Sequence, residues 1–459
     1  HYYTSRRARI AGGGALPQSF ARHLIRTAKQ EALNDWLDIL PSRASTRPEG
    51  ENVQNALRSV LNPDGPLPAA MTFETTATRD YEEAYWNDIL TLSHGVYRNK
   101  DNADVVQDPP TLHHVSHNRR DLKRLGDYLI ERHRQAIASS GMAGKAVVGD
   151  LPFRWQTDFD FPLFGGWKVN QEEAEQERDI LVVIQGKNRN EAVVLADHYD
   201  TAYMKDVYYK AKGGSGARLA SAGADDDHSA TATLLQAAPI FLRLSREGKL
   251  ERDIWLLHLT GEEFPADSLG ARHFSRSLVE RTLKLHADNG RIIDLSSVHV
   301  SGIFVMDMIA HNRQNGQDIF RISPGKSHES FRMAYQAHIS NMIWNSKVEE
   351  WNHGPQRRGR ERAKRCKDDV TIPEIARHLE LDGQVRTFYD PQSSLYNTDG
   401  QISSDTGLPV VLCMENYDIN RTGYHDTKDT MENIDLGYGA ALSPIVIETV
   451  ARVATLTRV

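Results

Sequence analysis

The sequence predicts an α/β fold in which a mainly parallel or mixed central sheet is flanked by helices, with a helical extension at the amino-terminal end. Two observations support this prediction. Short, continuously apolar runs with the composition of buried strands recur along the chain, and amphipathic helical patterns separate them. Continuous apolar strands that alternate with helices are typical of a parallel sheet covered on both faces.

The predicted elements fall into two regions. The predicted strands are 179–186, 191–200, 253–263, 302–308 and 408–416. The helical patterns among and after them are 228–246, 268–286, 326–346 and 437–457. Ahead of them, helical spacing recurs at 16–40, 52–61, 81–98 and 118–137. We therefore predict a helical amino-terminal region over 1–105 and an α/β domain over 106–459, with an insertion at about 320–400.

Composition excludes several classes of protein. The chain has 459 residues, 39% of them hydrophobic and 25% charged, which is ordinary for a globular protein. A net charge of −7 favours neither nucleic-acid nor membrane binding, and no apolar run is long enough to span a bilayer. Cys366 and Cys413 alone do not make a disulfide framework. The compartment stays open, either cytoplasmic or exported.

A basic run at 356–367, "QRRGRERAKRCK", lies in the predicted insertion. Interleaved aromatic residues would favour a nucleic-acid site, and this run has none among its arginines and lysines. We therefore interpret the run as a solvated loop, and expect no nucleic-acid partner.

Metal-binding residue types gather at the ends of the predicted strands. His198 and Asp200 end one strand, Glu262 and Glu263 end another, and Asp307 ends a third. In open α/β sheets the ligand site lies beyond the carboxyl ends of the strands, so these side chains are expected to share one crevice. Surface charge would not gather at successive strand ends, and a site is the better interpretation.

The stretch "GADDDHSA" adds three consecutive carboxylates, Asp225, Asp226 and Asp227, before a predicted helix. One acid suffices to complement a helix amino terminus, so three call for another reason. Carboxylates and imidazoles crowded into one crevice need a cation to neutralise them. Mixed His and carboxylate ligands suit zinc, and the excess of carboxylates suits two ions about 3.5–4 Å apart that share a bridging Asp.

The motifs "HYD", "GADDDHSA", "GEE", "MDM" and "YHDTKDTMENID", in this order over about residues 110–459, closely resemble those of the dizinc aminopeptidase family of clan MH, the zinc-dependent exopeptidases. The resemblance implies the family's zinc exopeptidase fold and two Zn²⁺ ions per chain. It makes Asp226 the bridging ligand. His198 and Asp307 would complete the shell of one ion, and Glu263 and His425 that of the other.

The resemblance also implies roles for residues that do not bind metal. Glu262 would be the general base, and Asp200 would orient the imidazole of His198. Tyr424 matches a position that in some relatives hydrogen-bonds the tetrahedral intermediate. The peptide bond that leads to Asp227 is often cis in such proteins. The implied activity is an aminopeptidase acting on peptides with a free amino terminus.

Glutaminyl cyclases, which share the scaffold but use a single zinc to form pyroglutamate, are the alternative. The run "DSLGARHF" at 267–274 is similar to theirs. They typically have Thr before the ligating Asp, whereas this chain has Asp225, which favours the peptidase. Asp405 is expected near the site as a supporting group. The amino-terminal region and the insertion are candidates for a lid, a pocket wall or an oligomer contact.

Overall fold

The computed structural model describes residues 66–94, 115–155 and 175–456, apart from 218, 264–265, 313–316, 354–370, 389, 391–392 and 417–422. The helices predicted at 16–40 and 52–61 and the basic run at 356–367 lie outside the described residues. The α/β fold class is confirmed: one sheet carries helices on both faces.

The described strands form a single ten-stranded sheet in the spatial order β6-β5-β1-β2-β4-β3-β7-β10-β8-β9. Their bounds are β1 Ala146–Trp155, β2 Glu175–Ile184, β3 Asn188–His198, β4 Arg252–Leu259, β5 Lys284–Ala287, β6 Ile292–Asp294, β7 His299–Asp307, β8 Ile319–Pro324, β9 Asp382–Val385 and β10 Val410–Glu415. All five predicted strands are present, as β2, β3, β4, β7 and β10.

The sheet is mixed rather than mainly parallel. Parallel pairing is confined to β4-β3-β7-β10 in the centre and to β8-β9 at one edge, and the remaining neighbours pair antiparallel. Four of the five antiparallel pairs involve β1, β5, β6 or β8, which the apolar pattern did not reveal, and the fifth joins the predicted strands β2 and β4. Strands β1, β5, β6 and β8 carry charged or polar residues, as in "AVVGDLPFRW" of β1, and so lack the continuous apolar run of a central strand.

The main described helices are α1 Arg79–Ser93, α2 Val115–Ser139, α3 His228–Arg246, α4 Leu269–Val279, α5 His328–His353, α6 Gly400–Asp405 and α7 Leu436–Thr455. The helix predicted over 268–286 is wrong in its second half, where a turn and then β5 replace it. Arg281 has φ 55°, a left-handed conformation that ends a right-handed helix. None of the described helices combines the length and the apolar run that crossing a bilayer requires.

The two faces of the sheet bury separate apolar cores. Val193 and Leu195 of β3 pack in the core beneath α1, α2, α3, α5 and α7, whereas Val194 and Ala196 pack in the core on the side of α4 and α6. This division follows from the alternation of side chains along a strand. The same alternation turns His198 toward the α4 and α6 side.

The described parts of the amino-terminal region and of the predicted insertion are built into this fold. The segment before α1 is held by the buried Glu448 of α7, whose carboxylate accepts hydrogen bonds from the amides of Met71 and Thr72 and from the Thr72 hydroxyl. The region predicted as an insertion supplies β8 and β9 to the sheet edge and α5 to one of its faces.

Candidate metal centre

The site lies at the carboxyl ends of the parallel central strands. His198 is the last residue of β3, Asp307 is the last residue of β7, and Glu262 and Glu263 lie in the segment that follows β4. Because these three strands run parallel, their carboxyl ends meet at one edge of the sheet. The side chains of His198, Glu262, Glu263 and Asp307, which belong to separate strand ends in the sequence, therefore lie at the same edge of the sheet.

Asp226 stands between two imidazoles. Its Oδ1 lies 3.4 Å from Nε2 of His198, and its Oδ2 lies 3.1 Å from Nε2 of His425. Oε2 of Glu263 lies 3.2 Å from the same nitrogen of His425. All four side chains are buried. Each oxygen of one carboxylate therefore faces a different imidazole.

The other two aspartates of the triplet hold the backbone. Asp227 accepts hydrogen bonds from the amide of His198 at 3.1 Å and from the amide of Met308 at 3.0 Å, which joins the ends of β3 and β7. Asp225 accepts a hydrogen bond from the amide of Ala310 at 2.9 Å. The Asp226–Asp227 peptide bond is cis. The three adjacent acids thus have different contacts, and only Asp226 stands between the two imidazoles.

Asp200 is completely buried beside His198 and contacts two segments of the site. Its carbonyl oxygen lies 3.1 Å from Nδ1 of His198, whereas its carboxylate lies 3.7 Å from that nitrogen. The carboxylate instead accepts hydrogen bonds from the amides of Glu262 and Glu263, each at 3.2 Å. Asp200 therefore positions the glutamate pair as well as the ring of His198.

The ionisation of the buried groups follows from their surroundings. Burial raises the pKa of Glu262 well above its usual value; the charge of His198 opposes this effect and that of Glu263 adds to it. Burial would also raise the pKa of Asp226, but its contacts with His198 and His425 lower that pKa below its usual value. One carboxyl group of the site is thus held ionised while its neighbour Glu262 binds a proton more readily.

Asp405 was expected near the site as a supporting group, but the buried acid of this segment is Asp399, which the sequence did not indicate. Asp399 is buried near the site, and burial raises its pKa to about 8 against the opposing charge of His198. Asp405 lies at the surface, where it pairs with Lys326 at 2.7 Å. Both acids stand within one polar segment, "TDGQISSD", and no local pattern tells the buried acid from the exposed one.

A cavity of about 270 Å³ opens onto Asp226, Glu262 and Asp307. Its lining adds apolar side chains from the adjacent core, including Met308, Ile402 and Met414, and two cationic residues, Lys205 and Arg272. Tyr424 lines the cavity too, with its ring 3.8 Å from that of His425 between centroids. The distances leave the role of its hydroxyl group a prediction.

The donor set fits zinc. Buried atoms His198 Nε2, Asp226 Oδ2 and Glu263 Oε1 make no hydrogen bond within the described part of the chain, as expected of atoms that face an ion. His198, Asp226 and Glu263 offer three ligand atoms within 4.8 Å of one another, and His198, Asp227 and Asp307 offer another such set. Imidazole nitrogen and carboxylate oxygen are typical zinc ligands.

Comparisons with known proteins identify a family to which part of this chain is similar. Residues 179–357 match the family described as "Peptidase family M28". The matched segment contains His198, Asp226, the glutamate pair and Asp307, and it ends before His425. The resemblance found in the sequence motifs is confirmed. No curated protein matches the chain.

Solved structures resemble the whole fold at low sequence identity. LapB from Legionella pneumophila aligns with a TM-score of 0.50 and 10% identity, over 90% of this chain and 84% of that one. The LapA aminopeptidase of the same organism gives 0.49 and 13%, over 87% and 79%. A glutaminyl cyclase from Bacteroides thetaiotaomicron gives 0.48 and 13%, over 81% and 97%. LapB supports the fold assignment.

Proposed function

We propose that this chain, in which residues 179–357 match peptidase family M28, is a zinc-dependent aminopeptidase that removes amino-terminal residues from peptides. The family supports a metal-dependent peptidase in general. The narrower proposal depends on the contacts of the site, and above all on the position of Asp226.

The observation that carries the proposal is that the two oxygens of the Asp226 carboxylate face two different imidazoles, those of His198 and His425. Asp226 would be a ligand shared by two ions. His198 and Asp307 would hold the first ion, and Glu263 and His425 the second. When bound, such a pair of ions polarises the scissile carbonyl group and lowers the pKa of a water molecule toward neutrality.

Glu262 is the residue we assign to proton transfer. It lines the cavity beside the ligand residues, and its amide is fixed by Asp200. Its raised pKa suits a carboxylate that takes a proton from the attacking water and returns it to the leaving amine. To Tyr424, whose ring lies against that of His425, we assign a hydrogen bond to the tetrahedral intermediate.

The cavity favours an exopeptidase over an endopeptidase. Its volume of about 270 Å³ lies at the small end of ligand sites, which suits a single terminal side chain. The carboxylates that surround it are complementary to a protonated α-amine. A peptide with a blocked amino terminus would lose this interaction.

A single-zinc glutaminyl cyclase is the alternative, and one experiment separates the two. The zinc-reconstituted protein is incubated with a panel of aminoacyl chromogenic substrates and with a peptide that begins with Gln. We expect release of the chromogenic amine, its loss after chelation and its return with zinc. Conversion of the Gln peptide to pyroglutamate, without turnover of any aminoacyl substrate, would replace the peptidase with the cyclase.

A further inference from the structure

Lys205 begins a one-turn helix, Lys205–Tyr208, in the segment between β3 and α3; it lines the cavity and is half-buried. Its ammonium group stands 5.0 Å from the centroid of the Tyr424 ring, which in turn lies against His425. Lys205, Tyr424 and His425 thus pack one against the next, and the ammonium group of Lys205 lies at the cavity wall.

The backbone fixes Lys205 to the segment that carries His425. The amide of Lys205 donates a hydrogen bond to the carbonyl oxygen of His425 at 2.8 Å. The next residue, Asp206, accepts hydrogen bonds from the hydroxyl and amide groups of Thr427, at 2.7 and 3.2 Å. These bonds fix the backbone of Lys205 relative to the segment that carries His425.

The charge of Lys205 contrasts with its surroundings. Five carboxylates line the cavity, namely Asp226, Glu262, Glu263, Asp267 and Asp307. The other cationic residue of the lining, Arg272, forms an ion pair with Asp267, its Nη2 lying 3.1 Å from Oδ2. Lys205 therefore places a second positive charge on the His425 side of the cavity, where it also interacts with the charge of Glu263.

We propose that Lys205 binds a carboxylate on the residue that leaves, so that the preferred substrates are peptides with a negative charge immediately after the scissile bond. This inference rests on the proposed function. In a dipeptide this group is the terminal carboxylate, which lies one residue, ~3.8 Å, beyond the scissile bond. An Asp or Glu side chain in the second position offers the same chemistry.

The experiment compares three substrates that share the amino-terminal residue X that the enzyme cleaves fastest: X-Gly, X-Gly-amide and X-Glu-amide. The variants are K205M, which keeps the length of the side chain without its charge, and K205R, which keeps the charge. K212M is the control. Lys212 is exposed in the same segment between β3 and α3, its ammonium group lies 5.6 Å from the centroid of the Tyr209 ring, and it does not line the cavity.

We expect the wild-type enzyme to prefer at least one of X-Gly and X-Glu-amide over X-Gly-amide in kcat/KM, by about tenfold, as a charged hydrogen bond typically supplies. K205M should abolish that preference mainly through KM, K205R should restore most of it, and K212M should keep it. Preference for X-Gly identifies the terminal carboxylate, and preference for X-Glu-amide identifies the acidic side chain.

Two results would overturn the role of Lys205. The first is that the wild-type enzyme shows no preference for a negatively charged substrate, or that K205M keeps this preference. The second is that K205M lowers kcat equally for all three substrates, which would make Lys205 a structural residue. Failure of the proposed function looks different, since then none of the three peptides loses its amino-terminal residue in any variant.

Discussion

Three adjacent aspartates show how neighbouring residues of one type acquire different tasks. Asp225 and Asp227 accept hydrogen bonds from backbone amides after β7 and at the end of β3. Asp226 instead stands between two imidazoles. The three adjacent acids therefore have separate partners, and only Asp226 of the three stands between the two imidazoles.

Glu262 is the residue on which the proposed chemistry depends. Glu262→Gln keeps the size of the side chain and removes the oxygen that accepts a proton. We expect turnover of an aminoacyl substrate to fall at least ~10²–10⁴-fold, the usual contribution of general acid–base catalysis. The bound metal, measured by mass spectrometry, should be unchanged.

Glu263→Gln is the matched comparison, because the two acids are adjacent but only Glu263 approaches His425. This variant should lose metal together with activity. Wild-type turnover by Glu262→Gln with its metal retained would exclude the assigned general base.

At the scale of elements, Asp200 connects two strand ends. It follows β3, contacts the ring of His198, and bonds the amides of both glutamates after β4. Asp200→Ala should therefore weaken metal binding about 10–100-fold, as is typical when a group that supports a metal ligand is removed. Competition with a chelator measures this affinity. Unchanged affinity would mean that other contacts orient the ligands.

Helix α2 meets the sheet through a buried polar chain. Nε2 of His133 lies 2.8 Å from Nε2 of His258, whose Nδ1 lies 2.7 Å from Oδ1 of Asp197. Burial lowers the pKa of His133 well below its usual value, and the neighbouring His258 lowers it further. His133 therefore stays neutral in the folded protein, whereas in the unfolded chain it takes up a proton below about pH 6.5.

Stability should consequently decrease as the pH falls below about 6.5. The contribution of His133 to the free energy of unfolding is present above that pH, and about 1.4 kcal/mol of it should be lost by pH 5.5. Urea unfolding of the chelated protein should show this loss in the wild type and in a control, His286→Gln, since His286 is exposed. His133→Gln should lack it. Equal pH dependence in all three would contradict the assignment.

At the scale of the whole molecule, the sequence predicted those features that the hydrophobic pattern encodes. The continuous runs of β3, β4, β7 and β10 identified the central strands, and the acids and histidine at their ends lie together in the structure. Strands such as β1 and β8 were missed because polar residues interrupt them. Asp399 was missed because its burial depends on how a polar segment folds over the site, which no local spacing reveals.

The number of metal ions tests the central claim most directly. The proposed site, with Asp226 shared, requires two ions per chain, with His198 a ligand of one and His425 a ligand of the other. Mass spectrometry of zinc-reconstituted protein should therefore find close to two ions in the wild type and one fewer in either His198→Ala or His425→Ala. A wild-type content firmly at one ion would contradict the dizinc site and support the single-zinc cyclase.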